Sequence, residues 1–216
     1  MKKQKTVTIV AFGDSITACH TEMPDEAQRW PSALESALRA RFPARMIRVV
    51  NAGAGGNTSR EGLARMETDV LAHRPDYVLV EFGGNDATPE PGRHVPIEEF
   101  HANLAAMKNR LEARGGGRMI ILPFPPILDR LHAWRDEMKS AGGQDRYVEQ
   151  YRQAARTFAA GNGLPLADID LAIRENLAES IMADGVHLTP AGNRRVMETV
   201  LAVLTDELRR EEKRIG

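Results

Sequence analysis

The sequence has a single cysteine, almost no net charge and no long hydrophobic run, and each absence excludes a class of protein. One cysteine, Cys19, in 216 residues excludes an intrachain disulfide and a cysteine-rich metal site. With 29 basic and 30 acidic residues, the formal charge of -1 gives no reason to expect a nucleic acid or an anionic membrane as partner. No apolar run approaches the roughly 20 residues of a membrane-spanning helix.

The composition, 42% hydrophobic and 27% charged, is that of a globular protein. We expect one domain over residues 1–216, because the chain has neither a linker nor an internal repeat. The basic start, residues 1–5, precedes an apolar stretch, residues 7–12, that is too short for the signal-peptide core of about 7–15 residues. The cytoplasm is therefore the expected compartment, and the oligomeric state is left open.

Apolar segments of strand length alternate with helical patterns along the chain. The strands are almost continuously hydrophobic, which is typical of a parallel sheet covered on both faces. The predicted strands are residues 7–12, 47–51, 77–82 and 119–123, with a weaker one at 164–169. The predicted helices are residues 27–41, 58–73, 97–114 and 145–160, and one that begins at Thr189-Pro190 and runs to about residue 210. This alternation predicts a three-layer α/β/α fold with a mainly parallel central sheet.

Two long irregular segments, residues 87–96 and 124–143, follow predicted strands. We expect both at the carboxyl edge of the sheet, where α/β folds bind ligands, and the second could close over a site as a lid. Four large apolar side chains flank this edge in sequence and either wall a pocket or pack in the core: Trp30, Phe124, Trp134 and Met138.

Ser15 follows the first predicted strand within the sequence Gly13-Asp14-Ser15-Ile16. The glycine permits a tight turn that presents the hydroxyl at the sheet edge, and a helical turn after it would point the Ser15 N–H outward, ready to stabilise an oxyanion. The alternative is a plain turn in which Asp14 and Ser15 act as caps.

Asp184 stands three residues before His187, just ahead of the last predicted helix. A carboxylate at this spacing can accept the imidazole Nδ1–H and stabilise the imidazolium formed when the other nitrogen takes a proton from serine. The alternatives are an ordinary surface loop and a metal site, although the spacing matches no established zinc motif.

Two glycine-rich turns also follow strands. Residues 51–58, Asn-Ala-Gly-Ala-Gly-Gly-Asn-Thr, could offer backbone N–H groups to an anion, but they lack both the dinucleotide fingerprint and the P-loop lysine. In Gly83-Gly84-Asn85-Asp86, the asparagine supplies a neutral N–H donor suited to an oxyanion, and Asp86 is expected to turn the loop. The alternative for each is a turn that needs glycine for its backbone angles.

Together and in this order, the four segments resemble the sequence blocks of the GDSL, or SGNH, hydrolases, from Gly13 to His187. The resemblance implies a flavodoxin-like fold and hydrolysis of esters or thioesters. It implies that Ser15 is the nucleophile, His187 the general acid/base and Asp184 the residue that orients His187. It further implies an oxyanion hole formed by the backbone N–H groups of Ser15 and Gly56 and the side-chain amide of Asn85.

The expected activity is that of a serine esterase acting through an acyl-enzyme on a small or medium ester, such as an acetylated sugar or a short-chain acyl ester. No cofactor or metal is expected, and the expected partner is the small-molecule ester itself, not a nucleic acid. A thioesterase or lysophospholipase of the same family is the alternative. A further alternative is a non-catalytic module that keeps this fold and binds a carbohydrate or an acyl group.

Overall fold

The computed structural model of the chain describes residues 6–19 and 25–215. Its central sheet has four parallel strands: β1 (Thr6–Gly13), β2 (Met46–Gly53), β3 (Tyr77–Phe82) and β4 (Arg118–Pro123). The strand order is β2-β1-β3-β4. In this register Gly13 lies opposite Gly53 on one side and Glu81 on the other, so the carboxyl ends of three strands meet at one edge.

Helices cover both faces of the sheet. In chain order they are α1 (Ser15–Ala18), α2 (Trp30–Arg41), α3 (Ser59–Asp69), α4 (Ile97–Ala113), α5 (Gln144–Gly161), α6 (Ile169–Arg174), α7 (Leu177–Ser180) and α8 (Pro190–Ile215). Helices α2 and α6 pack on α8, while α3, α4 and α5 pack on one another in sequence order. This arrangement is the predicted three-layer α/β/α fold with a parallel central sheet.

The weaker strand predicted at residues 164–169 is wrong over most of its length. Only Leu166 forms a parallel bridge, to Ile121 of β4, and α6 begins at Ile169. Pro165 has no N–H to extend the ladder, and Asp168 caps α6 by accepting the Leu171 N–H. The bridge nevertheless occupies the fifth position of the flavodoxin-like order 2-1-3-4-5.

The predicted helices are confirmed, although their ends are shifted. The first begins at Trp30 instead of residue 27, because a short 3₁₀ turn occupies Glu26–Gln28. The last continues through the charged tail to Ile215. Helices α1, α6 and α7 have only four to six residues, too short for a helical period to be read from the sequence.

The core lies on both faces of the sheet. Val10, Leu79 and Ile120, at the centres of β1, β3 and β4, are fully buried, as the continuous hydrophobic runs predict. Glu81 is an exception, a charged residue at 1% exposure inside β3. Within the described residues, no helix combines the length and the apolar character needed to cross a membrane.

Candidate active site

Ser15 is the first residue of α1 and lies half-buried at the carboxyl edge of the sheet. Asp14 caps this helix, because its Oδ1 accepts the Ile16 N–H at 2.9 Å. Gly13 is required at the end of β1, since a Cβ there would come within 2.6 Å of Glu81 Oε2. The predicted helical turn after the strand is thus present, and it presents the serine at the sheet edge.

His187 and Asp184 meet Ser15 in one hydrogen-bonded chain, although 172 residues separate the serine from the histidine. Ser15 Oγ lies 2.9 Å from His187 Nε2, and His187 Nδ1 lies 2.6 Å from Asp184 Oδ2. The other carboxylate oxygen, Oδ1, accepts the backbone N–H groups of Val186 and His187 at 2.9 and 3.0 Å. The three side chains therefore have the hydrogen-bonding pattern of a nucleophile, a base and an orienting carboxylate.

The electrostatics of Asp184 favour its ionised form. Partial burial by itself would raise the pKa of this carboxyl, but the N–H of Val186 and the ring and N–H of His187 outweigh it and hold the pKa below its ordinary value. An ionised Asp184 accepts the Nδ1–H of His187. This fixes the tautomer in which the lone pair of Nε2 faces the Ser15 hydroxyl at 2.9 Å.

The loop that carries Asp184 and His187 is held by hydrogen bonds at Gly185 and just after His187. Gly185 has a left-handed φ of 81°, and its carbonyl accepts the Leu128 N–H at 2.8 Å. After His187, Thr189 caps α8 by accepting the Gly192 N–H at 3.1 Å. The first contact ties the loop to the segment after β4, and the second ties it to a long helix.

Asn85 lies beside the serine turn, as the sequence predicts, but both hydrogens of its amide are already engaged. Nδ2 donates to Asp14 Oδ2 at 2.8 Å and to the carbonyl of Asn57 at 3.1 Å. Gly56 has a left-handed φ of 74°. A Cβ on its neighbour Gly55 would lie 3.9 Å from Ser15 Cβ, so this turn borders the nucleophile.

Asp86 does more than turn the loop. It is fully buried and accepts both the backbone N–H and the hydroxyl of Ser59, the first residue of α3. Burial raises the pKa of Asp86 to about 6, against the opposing effect of the Ser59 bonds. This carboxyl therefore joins the segment after β3 to the amino end of α3.

Two residues beside the site, Arg65 and Glu81, are not among those that the sequence predicts. Arg65 donates to the carbonyls of Gly13 and Ala52 at 2.8 and 2.7 Å and to Asn57 Oδ1 at 2.7 Å. Nothing in the sequence distinguishes this arginine from others on amphipathic helices. Glu81 did carry a signal, because it is the one charged residue in the strand Tyr-Val-Leu-Val-Glu-Phe.

The apolar residues that flank the site in sequence mostly pack in the core. Trp30, Phe124 and Met138 are buried. The indole of Trp30 donates to the carbonyl of Ile16 at 3.0 Å and so supports the back of α1. Trp134 is half-buried and stacks edge-on against His132.

The segment after β4 is anchored where it leaves the strand. The fully buried guanidinium of Arg152 donates to the carbonyls of Phe124 and Pro125, both at 2.9 Å. The N–H of Ile127 then donates to Asp145 Oδ1 at 2.9 Å. These contacts fix the part of the segment that bonds to the Asp184–His187 loop.

A metal site would need several ligating side chains together. In the part of the chain that the structure describes, no group of three His, Cys, Asp or Glu side chains is placed to hold a metal ion.

Comparison with known proteins places this geometry in a family. Residues 11–195 match the GDSL-like Lipase/Acylhydrolase family. The uncharacterized lipoprotein YqeF of Bacillus subtilis is 30% identical, covering 89% of this chain and 87% of the relative. The acetylxylan esterase of Geobacillus stearothermophilus is 29% identical, covering 86% and 88%.

Solved structures agree with the sequence matches. The crystal structure of LAE5, an alpha/beta hydrolase from the metagenome of Lake Arreo, has a TM-score of 0.74 at 28% identity and covers 91% of this chain and 94% of its own. The structure of the Geobacillus acetylxylan esterase has a TM-score of 0.73 at 25% identity and covers 94% and 95%. The chain belongs to the GDSL-like lipase/acylhydrolase family and is a carboxylic ester hydrolase.

Proposed function

We propose that this chain is a serine esterase that cleaves small to medium carboxylic esters, such as acetylated sugars or short-chain acyl esters, through an acyl-enzyme. The observation that carries the proposal is the continuous chain of hydrogen bonds from Ser15 Oγ through His187 to Asp184. A serine hydroxyl is a weak nucleophile at neutral pH unless an adjacent base accepts its proton.

In the acylation step, His187 Nε2 takes the hydroxyl proton as Ser15 Oγ attacks the ester carbonyl. The tetrahedral intermediate collapses when the imidazolium returns the proton to the leaving alcohol, which leaves the acyl group on Ser15. A water molecule, activated by the same nitrogen, then hydrolyses this ester. Asp184 stabilises the imidazolium in both steps and keeps its own charge.

The negative charge of the intermediate is stabilised by N–H donors around Ser15. The Ser15 N–H at the start of α1, the Gly56 N–H in the neighbouring turn and the Asn85 amide are the donors that we propose. For Asn85, the hydrogen that now bonds to the neutral carbonyl of Asn57 at 3.1 Å is the one available to the substrate oxygen. The shorter bond, to Asp14, involves a carboxyl group and stays in place.

Small acyl groups are favoured by the names of the relatives. Besides the acetylxylan esterase, they include an isoamyl acetate-hydrolyzing esterase 1 homolog from cattle and an arylesterase from Vibrio mimicus. The first two names refer to acetyl esters with chemically unrelated alcohols. We infer that the acyl side of this site takes a short group.

The test is hydrolysis of p-nitrophenyl esters of increasing acyl length by the wild type and by Ser15→Ala. We expect the fastest turnover on acetate or butyrate, and a loss of about 10⁶-fold in kcat in the variant. Ser36→Ala is the matched control, because Ser36 is exposed on α2 and should keep wild-type rates. Wild-type turnover by Ser15→Ala would refute the serine mechanism, and a preference for long-chain esters or acyl thioesters would refute the substrate class.

We also propose the cytoplasm as the compartment. Fractionation of producing cells checks this. Esterase activity in the cytosolic fraction is the expected result. Activity that sediments with membranes would contradict the proposal; one relative, YqeF of Bacillus subtilis, is named a lipoprotein.

A further inference from the structure

Two buried carboxyl groups lie directly behind the nucleophile turn. Asp14 is 0% exposed and Glu81, on the adjacent strand β3, is 1% exposed, and Glu81 Oε2 accepts the backbone N–H of Asp14 at 3.4 Å. Two carboxyl groups in contact and away from water cannot both be ionised, so such a pair holds one proton between them.

The donors around the pair indicate which group holds this proton. Both oxygens of Asp14 accept N–H donors, Oδ1 from Ile16 at 2.9 Å and Oδ2 from Asn85 at 2.8 Å. Glu81 receives donors on one oxygen only: Oε2 accepts the Thr17 hydroxyl at 3.1 Å and the Asp14 N–H at 3.4 Å. Glu81 Oε1 is buried and receives no donor from the described residues, as expected for an oxygen that carries a proton of its own.

We propose that Glu81 holds the shared proton, and that the Asp14 carboxylate it leaves ionised is a positioning residue that aims the Asn85 amide at the oxyanion. Glu81 thus acts as a hydrogen-bond donor to Asp14, and Asp14 acts through Asn85. This inference rests on the proposed function, since it assigns a role to two residues behind the same oxyanion hole.

The arrangement explains how a single side chain aligns two predicted oxyanion donors. Through Oδ1 Asp14 fixes the first turn of α1, which carries the Ser15 N–H, and through Oδ2 it fixes one hydrogen of the Asn85 amide. A preorganised donor loses little free energy to reorientation when charge develops, which is the main source of oxyanion stabilisation.

The other charged groups that face Asp14 act on its ionisation in opposite directions. Asp86, after β3, opposes ionisation of Asp14, and His187, from the loop before α8, favours it. Burial raises the pKa of Asp14 to about 7 and raises that of Glu81 well above its ordinary value. Burial therefore favours a neutral Glu81 beside an Asp14 that ionises near pH 7.

Two isosteric variants separate the roles of the carboxyl groups. Asp14→Asn keeps an oxygen to cap Ile16 but turns an NH₂ group toward the NH₂ of Asn85, so the amide loses its acceptor. Glu81→Gln keeps a neutral side chain with an N–H that donates to Asp14. We expect kcat to fall about 10–100-fold in Asp14→Asn with KM within about threefold, and to stay within about threefold of wild type in Glu81→Gln.

A double-mutant cycle tests whether Asp14 acts through Asn85. In an Asn85→Ala background, Asp14→Asn should cost less than about threefold in kcat, because the amide that it orients is gone. Equal losses in both backgrounds would overturn the positioning role, and so would an unchanged kcat in Asp14→Asn. A Glu81→Gln variant as impaired as Asp14→Asn would overturn the proton assignment.

The proton proposed on Glu81 can be detected by infrared spectroscopy, without any measurement of turnover. At pH 8, above the raised pKa values of Asp14 and Asp86, the infrared spectrum of the wild type should contain a C=O stretch of a protonated carboxyl group that disappears in Glu81→Gln and persists in the exposed control Glu112→Gln. If Glu81→Gln leaves that region unchanged, Glu81 does not hold the proton. This result stands even for a wild type inactive on every ester, so failure of the inference and failure of the proposed function are distinguishable.

Discussion

Arg65 donates to the carbonyl of Gly13 at 2.8 Å, two residues before the serine that the fold presents at the sheet edge. The same guanidinium reaches the carbonyl of Ala52 and the side chain of Asn57, both at 2.7 Å, and lies 4.6 Å from the centre of the Phe12 ring. Its acceptors flank the turn that contains Gly56. One side chain therefore joins the end of β1 to the glycine-rich turn after β2.

Replacing Arg65 with methionine should damage both stability and turnover. Methionine keeps much of the apolar stem but removes the donor to the Ala52 carbonyl and to Asn57 Oδ1, and leaves the Gly13 carbonyl with the Ala54 N–H. We therefore expect a loss of about 2–4 kcal/mol in the free energy of unfolding. The loosened turns should lower kcat about 10-fold or more, because small displacements of catalytic groups are costly. Urea unfolding and ester hydrolysis measure the two effects.

The control for this variant is Arg60→Met on the same helix. Arg60 forms an exposed ion pair with Glu99, and such pairs contribute roughly 0–1 kcal/mol. Equal effects of the two variants would show that the contacts of Arg65 with the strand ends are unimportant.

Asp184→Asn should leave the fold intact and lower kcat by about 10²–10⁴-fold. The amide can still accept the backbone N–H groups of Val186 and His187, but it cannot stabilise an imidazolium as a carboxylate does. Steady-state kinetics beside a thermal melt check this prediction. A kcat within threefold of wild type, in a variant that melts normally, would remove Asp184 from the mechanism.

The strand ends and the order of the motifs were predictable, whereas the layer of side chains behind them was not. Continuous apolar runs identify strands such as β3 because they are buried on both faces. Ser15, Asp184 and His187 stand out because short motifs mark the ends of strands and the start of a helix. The contacts of Arg65 and Asp14 depend on strand register and side-chain rotamers, which no local pattern encodes.

The strand predicted at residues 164–169 shows the same limit of local patterns. Pro165 and the helix cap at Asp168 prevent the apolar run from forming a strand.

The buried carboxyl groups should make the protein less stable as the pH rises through neutrality. Burial raises the pKa of Asp14 to about 7 and of Asp86 to about 6, so the folded state binds their protons more tightly than the unfolded state does. Stability from these groups is fully present below their ordinary pKa, near 4, and is lost as the pH rises through the folded values. The pKa of Asp184 is lowered, so its contribution is lost only as the pH falls below 4.

Urea unfolding at pH 5 and pH 8 measures this dependence. We expect the wild type to lose about 4 kcal/mol between the two from the shifts of Asp14 and Asp86. Glu81→Gln should lose less than the wild type, because one carboxyl group of the buried pair no longer ionises when the chain unfolds. The exposed control Glu112→Gln should follow the wild type. A free energy of unfolding that rises from pH 5 to pH 8 would contradict the direction of these pKa shifts.

Gly185→Ala should impair catalysis by displacing the loop that carries Asp184 and His187. Gly185 has a φ of 81°, and a Cβ there would lie 2.7 Å from the carbonyl oxygen of Leu128 and 2.9 Å from the backbone nitrogen of His132. Relief of this clash must shift the loop that carries Asp184 and His187, so we expect about 1–3 kcal/mol of lost stability and a kcat about 10-fold lower or worse.

Gly161→Ala is the matched control for this substitution. Gly161 is the last residue of α5, and a Cβ there meets no atom within 4 Å. Alanine should therefore raise the free energy of unfolding by about 0.4–1 kcal/mol through the unfolded state, at unchanged kcat. Because both variants add one methyl group, a difference between them measures the combined effect of the left-handed φ of Gly185 and its contact with the segment after β4. Wild-type kcat in Gly185→Ala would show that the histidine loop holds its position without that contact.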